Sequence, residues 1–319
     1  MLIDMPLEEL RQYRGRSPRP ADFDSYWDES LAEMNAVDPA IEIKPSNFNA
    51  PGAKCSDLYF TGVGGSRIHA LLLEPLQAAA NHPAVVEFHG YTGNAGTWVS
   101  KLAYVNAGFT IAALDCRGQG GYSEDLTPVH GTTIHGHIVR GAQDPDPRKL
   151  LFRSVFLDTA QLVKIVKSLS GVDPDRVGVF GGSQGGGLTL ACAGLADVNR
   201  ACPRYPFLSD YRRVWEMDLA VNAYAEIKTF FRFFDPTHAR EDAFFERLGY
   251  IDVQNLMSRV KCKVLMQTGL MDTVCPPSTQ FAAYNKITSE KSVTIYYDFG
   301  HEGLTGADDE TYQFMMEMA

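Results

Sequence analysis

A chain of 319 residues with 45% hydrophobic and 21% charged side chains can bury one large core, which excludes a disordered chain and a coiled coil. A formal net charge of -10 leaves no basic stripe to displace counterions from nucleic acid, so that partner is excluded too. Met1 to Leu10 carries Asp4, Glu8 and Glu9 and no apolar run, so neither a signal peptide nor a membrane span is expected. Six scattered cysteines without CxxC spacing fit reduced thiols in a cytoplasmic protein.

Arg11 to Arg19 is a short basic stretch expected to be solvated. Phe23 to Met34 follows with apolar residues at Trp27, Leu31 and Met34, the stripe of a helix that Asp22 would cap and that packs on the outside of the core. Pro39, Pro45 and Pro51 should keep the next stretch irregular, and residues 1–50 read as an N-terminal extension. Lys54–Phe60 and Arg67–Leu73, separated by Gly62, Gly64 and Gly65, read as an antiparallel hairpin.

Ala84–Phe88 is the first wholly apolar strand, and it ends in His89-Gly90-Tyr91-Thr92-Gly93-Asn94. The useful groups in that loop are its amides, and His89 is assigned to hydrogen-bonding the loop rather than to chemistry. Thr110–Leu114 is the second such strand, ending in Asp115-Cys116-Arg117-Gly118-Gln119. Arg117 has five fixed donors with which to pin neighbouring loop carbonyls.

Ser123–Arg148 is polar and holds His130, His135 and His137. His135 and His137 have the spacing of half a metal site, yet no carboxylate or cysteine cluster with ligand spacing accompanies them, so a surface loop or subunit contact is the expectation. Phe152–Leu169 is an amphipathic helix, with Val155, Leu162, Val166 and Leu169 on one side and Arg153, Lys164 and Lys167 toward water. Residues 207–258 are aromatic and helical in period, which suits a cap over a pocket or an ordinary helical layer equally well. Lys263–Thr268 and Val293–Tyr297 are the last strands, and Asp309–Met318 a closing helix.

Between the strand Val177–Phe180 and a small-residue helix at Leu188–Leu195 lies Gly181-Gly182-Ser183-Gln184-Gly185. A serine on a sharp strand-to-helix turn needs neighbours without Cβ atoms, and Gly181 and Gly185 supply them. The helix start also aims free N–H groups at an anion forming beside Ser183. A glycine-rich turn can merely pack tightly or hold phosphate, but neither Gly-x-Gly-x-x-Gly nor Gly-Lys-Ser/Thr is present.

Ser183, Asp272 and His301 each follow a strand, in the chain order of the α/β-hydrolases. Parallel strands deliver their ends to one edge of a sheet, where three such residues can meet. His301 would take the serine proton, Asp272 would fix the imidazole tautomer, and the amides of Tyr91 and Gln184 would bind the oxyanion. Asp298 is a rival acid on the same strand end as His301, with Asp218 and Asp235 weaker candidates. The expected architecture is therefore one α/β domain over residues 1–319, a mostly parallel sheet flanked by helices, with the 1–50 extension and the 207–258 helical insertion.

Arg117-Gly118-Gln119, Gly181-Gly182-Ser183-Gln184-Gly185 and His301-Glu302 together resemble the acetyl xylan esterase and cephalosporin C deacetylase family. His89-Gly90-Tyr91, Gly136–Gly141, Tyr205–Asp210 and Gly269–Pro277 extend the resemblance, which runs from about Pro18 to the C-terminus; Gly186-Gly187 is more glycine-rich than the family pattern. The resemblance implies the triad and oxyanion amides above, with Arg117 and Gln119 as structural support. It implies deacetylation of small esters, including acetylated xylo-oligosaccharides and cephalosporin C, without metal or other cofactor. It further implies a cytoplasmic homo-hexameric ring in which the Ser123–Arg148 loop makes subunit contacts. A small pocket closed by Tyr91 and Val274 would select acetyl over longer chains; a broader short-chain carboxylesterase or a peptidase on the same fold is the alternative.

Overall fold

The protein is described here from a computed structural model, which covers residues 3–129 and 136–319. Its strands are β1 (Glu42–Pro45), β2 (Ala53–Thr61), β3 (Arg67–Pro75), β4 (His82–Phe88), β5 (Thr110–Leu114), β6 (Val172–Gly182), β7 (Arg200–Arg204), β8 (Lys263–Gly269) and β9 (Lys291–Tyr296). They form one sheet in the order β1-β2-β3-β5-β4-β6-β7-β8-β9. The pairs from β1 to β3, and β3 with β5, are antiparallel, and every later pair is parallel.

The helices are α1 (Leu7–Leu10), α2 (Phe23–Ala36), α3 (Leu102–Asn106), α4 (Leu151–Ser168), α5 (Gln184–Leu195), α6 (Tyr211–Glu216), α7 (Ala225–Phe234), α8 (Glu241–Gly249), α9 (Pro277–Tyr284) and α10 (Ala307–Met316). Alternation along the strands sorts them into two layers. Val86, Ala112, Leu114 and Val179 face the core shared with α2, α4, α5 and the helices of residues 207–258. Val85, Ile111 and Ala113 face the opposite side, against Tyr104 and Val105 of α3 and Phe314 and Met315 of α10. Each Val, Leu, Ile or Phe buried this way contributes about 1.5–3 kcal/mol relative to an exposed one.

Several expectations need correction. The stretch around Pro45 is not irregular: Glu42–Pro45 pairs with β2 as an exposed edge strand, the position in a sheet where proline is tolerated. The sequence reading missed β7, whose Pro203 would argue against a central strand. Its ladder to β8 pairs Arg200, Ala201 and Arg204 but skips Cys202 and Pro203, so the missing N–H falls where that ladder is interrupted. Arg153 does not face water. Helix α4 is covered on both sides, and Arg153 reaches out along α2 to Ser30 Oγ at 2.9 Å and to Glu33.

Asp22 does not cap α2; it accepts a 2.6 Å hydrogen bond from the Tyr250 hydroxyl. Helix α2 packs on the core through its apolar stripe: Trp27 is fully buried and stacks on Phe156 of α4 with ring centroids 5.9 Å apart. The basic stretch before it keeps Arg11, Arg14, Arg16 and Arg19 exposed, as expected, but its backbone is docked. Buried Asp210 accepts from the N–H groups of Arg16 and Ser17 at 2.9 and 2.7 Å and from the Tyr13 hydroxyl at 2.9 Å.

All six cysteines are buried and unpaired. No described helix is long and apolar enough to cross a membrane.

Candidate active site

Ser183 sits between β6 and α5 with φ 58° and ψ -119°, a backbone state that costs a non-glycine residue about 1–3 kcal/mol. Fixed contacts hold it there: its N–H donates to Arg204 O, and its carbonyl accepts from Gly187 and Phe207 N–H, all at 3.0 Å. The glycines around it are sterically required. A Cβ on Gly181 or Gly185 would lie 2.4 or 2.0 Å from Phe88 O, and one on Gly186 or Gly187 would lie 2.5 or 2.3 Å from Arg204 O or Phe207 O. The extra pair Gly186-Gly187 thus lets β7 and the segment after it press directly on α5.

Asp272 follows β8 and is fully buried. Its Oδ1 accepts from the N–H groups of Val274 and Cys275 at 2.8 and 2.7 Å. His301 follows β9, and the chain carrying it crosses tightly over the end of β8, where a Cβ on Gly269 would lie 2.4 Å from Phe299 O. His301 Nδ1 is 2.8 Å from Asp272 Oδ2 and its Nε2 is 2.9 Å from Ser183 Oγ. An ionised carboxylate can only accept, so Nδ1 carries the proton and Nε2 is left to accept from the serine hydroxyl. Asp298 is exposed and has no part in this chain of bonds, and Asp235 is occupied by the N–H groups of Ala239 and Arg240.

The N–H groups of Tyr91 and Gln184 donate to no backbone acceptor among the described residues; that of Gln184 opens α5 and points outward from its positive end. Gln119 joins their two segments. Its Oε1 accepts from Thr92 N–H at 2.9 Å and from Gln184 Nε2 at 3.0 Å, while its Nε2 donates to Gln184 Oε1 at 2.8 Å. His89 ties the same loop to the next: Nδ1 donates to Gly90 O at 2.7 Å and Nε2 accepts from Cys116 N–H at 3.0 Å. Burial lowers its basicity, which suits this neutral tautomer.

Arg117 is fully buried, and its main partner is not a loop carbonyl but Asp158 of α4, bound through two contacts of 2.6 Å. It also donates to Val63 O and Ser66 Oγ at 3.2 Å. Nothing local in the sequence links Arg117 to a residue on the next helix, which is why that partner was missed.

A cavity of about 800 Å³ opens onto Ser183 and His301. Tyr104, Phe180, Tyr205 and Tyr312 give it aromatic walls, with Arg204 and Asp308 among its polar groups. Tyr205, which the sequence marks only as the start of a family-like stretch and gives no role, has its ring 4.6 Å from that of His301. Tyr91 and Val274, expected to close an acyl pocket, do not line this cavity. Tyr91 packs against Phe207 and His137 and gives its hydroxyl to Glu226 of α7 at 2.6 Å, so residues 207–258 form part of the main core and also reach the loop beside Ser183.

Asp272, Cys275 and His301 place three metal-ligating atoms within 4.8 Å of one another. Their other engagements fit a metal poorly: Asp272 Oδ1 already holds two amides, Oδ2 and Nδ1 share a hydrogen bond, and burial pushes the Cys275 thiol well above its ordinary range. Of the three loop histidines, His130 and His135 lie outside the described residues, and the His137 ring meets Tyr91 edge-on at 5.1 Å.

The parallel sheet with a serine-bearing strand-to-helix turn, and an acid and a histidine at later strand ends, defines an α/β-hydrolase fold. Residues 1–318 match the acetyl xylan esterase (AXE1) family, and the chain belongs to it. It is similar to acetyl xylan esterase 1 from Thermoanaerobacterium sp. JW/SL YS485, with 56% identity, a TM-score of 0.97 and 99% of each chain covered. It is also similar to the acetyl xylan esterase from Paenibacillus sp. R4, with 36% identity, a TM-score of 0.93 and coverage of 98% of this chain and 99% of that one. Acetyl esterase Axe7A of Xylanibacter ruminicola is 27% identical over 301 residues, which span 90% of this chain but 64% of the relative's length.

Proposed function

We propose that the chain is a serine esterase that removes acetyl groups from small acetylated sugars, acetyl xylo-oligosaccharides foremost, and from cephalosporin C-like esters. The observation that carries this reading is the hydrogen-bonded chain Ser183–His301–Asp272 at 2.9 and 2.8 Å, beside two undonated amides and a cavity. Ser183 Oγ attacks the acetyl carbonyl as His301 Nε2 takes its proton, and Asp272 stabilises the imidazolium that results. The oxyanion is held by the Tyr91 and Gln184 N–H groups, each worth about 3 kcal/mol of transition-state stabilisation. His301 then returns the proton to the leaving alcohol oxygen, and an acetyl ester on Ser183 remains. Water, deprotonated by the same imidazole, adds to that ester; the bond between the acyl carbon and Ser183 Oγ breaks, the imidazolium returns the proton to Oγ, and acetate leaves.

At about 800 Å³ the cavity falls in the size range of small-molecule sites and far exceeds what an acetyl group needs. The sugar therefore occupies it, with pyranose faces against Tyr205 and Tyr312 and hydroxyls toward Arg204 and Asp308. The acetyl methyl then needs a small pocket of its own, which Tyr91 and Val274 do not form within this cavity. Against p-nitrophenyl esters, kcat/KM should fall at least tenfold from acetyl to butyryl and again to octanoyl. A flat series would instead indicate a broad carboxylesterase, and amide cleavage a peptidase.

The family resemblance also supports a cytoplasmic hexamer. Native mass spectrometry should then give six times the mass of one chain, and a monomer or dimer at working concentration would overturn the ring.

A further inference from the structure

We infer that Glu226 is a positioning residue for the reaction: from helix α7 it fixes the Tyr91 loop, and its negative charge is what keeps the Tyr91 amide in place for the oxyanion. This rests on the reading of Tyr91 as an oxyanion donor. The Glu226 carboxylate is buried and receives donors from two separate loops. Its Oε1 accepts the Tyr91 hydroxyl at 2.6 Å and His137 N–H at 3.2 Å, and its Oε2 accepts Val139 N–H at 2.9 Å. Ile138 N–H, between those two amides, also turns toward it.

The receiving loop is shaped for this group. Gly136 has φ +64°, and a Cβ there would lie 2.0 Å from the Glu226 carboxyl carbon, so only glycine admits the side chain. An ionised carboxylate presents only acceptors and can hold a hydroxyl and several amides together. A protonated one turns one oxygen into a donor that the amide N–H groups cannot accept, so the network must rearrange and holds the loop less firmly.

The ionisable groups facing Glu226 are Tyr91 from the loop after β4 and Tyr211 from α6, while His137 meets it through its backbone N–H and turns its ring to Tyr91. Thr229 and Phe230, one turn further along α7, are neutral. Burial, only partly opposed by these hydrogen bonds, pushes its carboxyl up to about 7. The charged form therefore gives way as pH falls through the neutral range, and the loop loses its anchor on the acid side.

The test compares wild type with Glu226→Gln and Tyr91→Phe, measuring kcat, KM and melting temperature with p-nitrophenyl acetate from about pH 5.5 to 9. In wild type the acid limb of log kcat/KM should be steeper than in either variant, because Glu226 protonates there and weakens its hold on the loop. In either variant the limb should have single-proton slope. At the alkaline plateau kcat should be about tenfold lower with KM changed less than about twofold, as a displaced donor requires.

Tyr91→Phe leaves the Glu226 bonds to residues 137–139 intact, so it decides the matter if Glu226→Gln does not fold. Wild-type kcat and slope in the variants, or losses that only follow the melting temperature, would overturn the assignment. Ser183→Ala run alongside separates the two levels: if that variant stays active the esterase reading fails, whereas an inert Ser183→Ala with an unaffected Glu226→Gln sinks the positioning role alone.

Discussion

Ser183→Ala should lower kcat for acetyl esters by roughly 10⁴- to 10⁶-fold, the range in which loss of a hydrolase nucleophile falls. Without Oγ there is no bond to form with the acyl carbon, and His301 Nε2 loses the donor it faces at 2.9 Å. The fold should not suffer, because Ser183 is held by its backbone N–H and carbonyl, which alanine keeps. Ser183→Gly should be equally inactive but melt higher. It gives up the Cβ that makes φ 58° unfavourable, relieving about 1–3 kcal/mol of strain less about 0.5–1 kcal/mol of added chain entropy. Substantial turnover by either variant would remove the serine mechanism, and a lower melting temperature for the glycine variant would show that the turn is not strained.

Arg117→Met should destabilise the protein by about 3–5 kcal/mol, the cost of stranding one member of a buried ion pair. Arg117 and Asp158 are both buried and share two contacts of 2.6 Å, so the substitution leaves a carboxylate without its counter-charge. In the wild-type protein burial pushes the Asp158 carboxyl up while the guanidinium pulls it back. With the guanidinium gone only the upward push remains, and the folded state binds a proton that the unfolded state has released. Asp158 is already raised in the wild-type protein, so the stability of the variant should fall more steeply than that of wild type as pH rises from acid toward neutral. Urea unfolding at two pH values measures this, and the double variant Arg117→Met with Asp158→Leu should recover most of the loss. A single variant as stable as wild type, or a double variant no better than the single, would show that the pair does not act as a unit.

Much of the sheet was legible because its strands are short apolar runs between glycine-bearing loops, as in Ala84–Phe88 and Thr110–Leu114. The strand β7 was not, since Arg200, Pro203 and Arg204 carry none of that pattern and the segment owes its state to neighbours on both sides. At the site, Ser183, Asp272 and His301 could be picked out because each follows a strand, and strand ends share an edge. Asp158, Glu226 and Tyr205 gave no such signal. They become visible only when a helix, an insertion or a later strand is folded against the loop they serve, and spacing along the chain does not encode that.

The paired glutamines give the site a property that a salt bridge in their place would lack. Neither Gln119 nor Gln184 ionises, so the link between the Thr92 loop and the start of α5 keeps the same strength in acid and in base and brings no net charge near the reacting carbonyl. Its polarity is also decided from outside: Thr92 N–H must meet an oxygen, so the Gln119 amide can sit only one way round, and the Gln184 amide follows suit. A latch without net charge and with a single permitted orientation presents the reaction with fixed dipoles that do not change with pH.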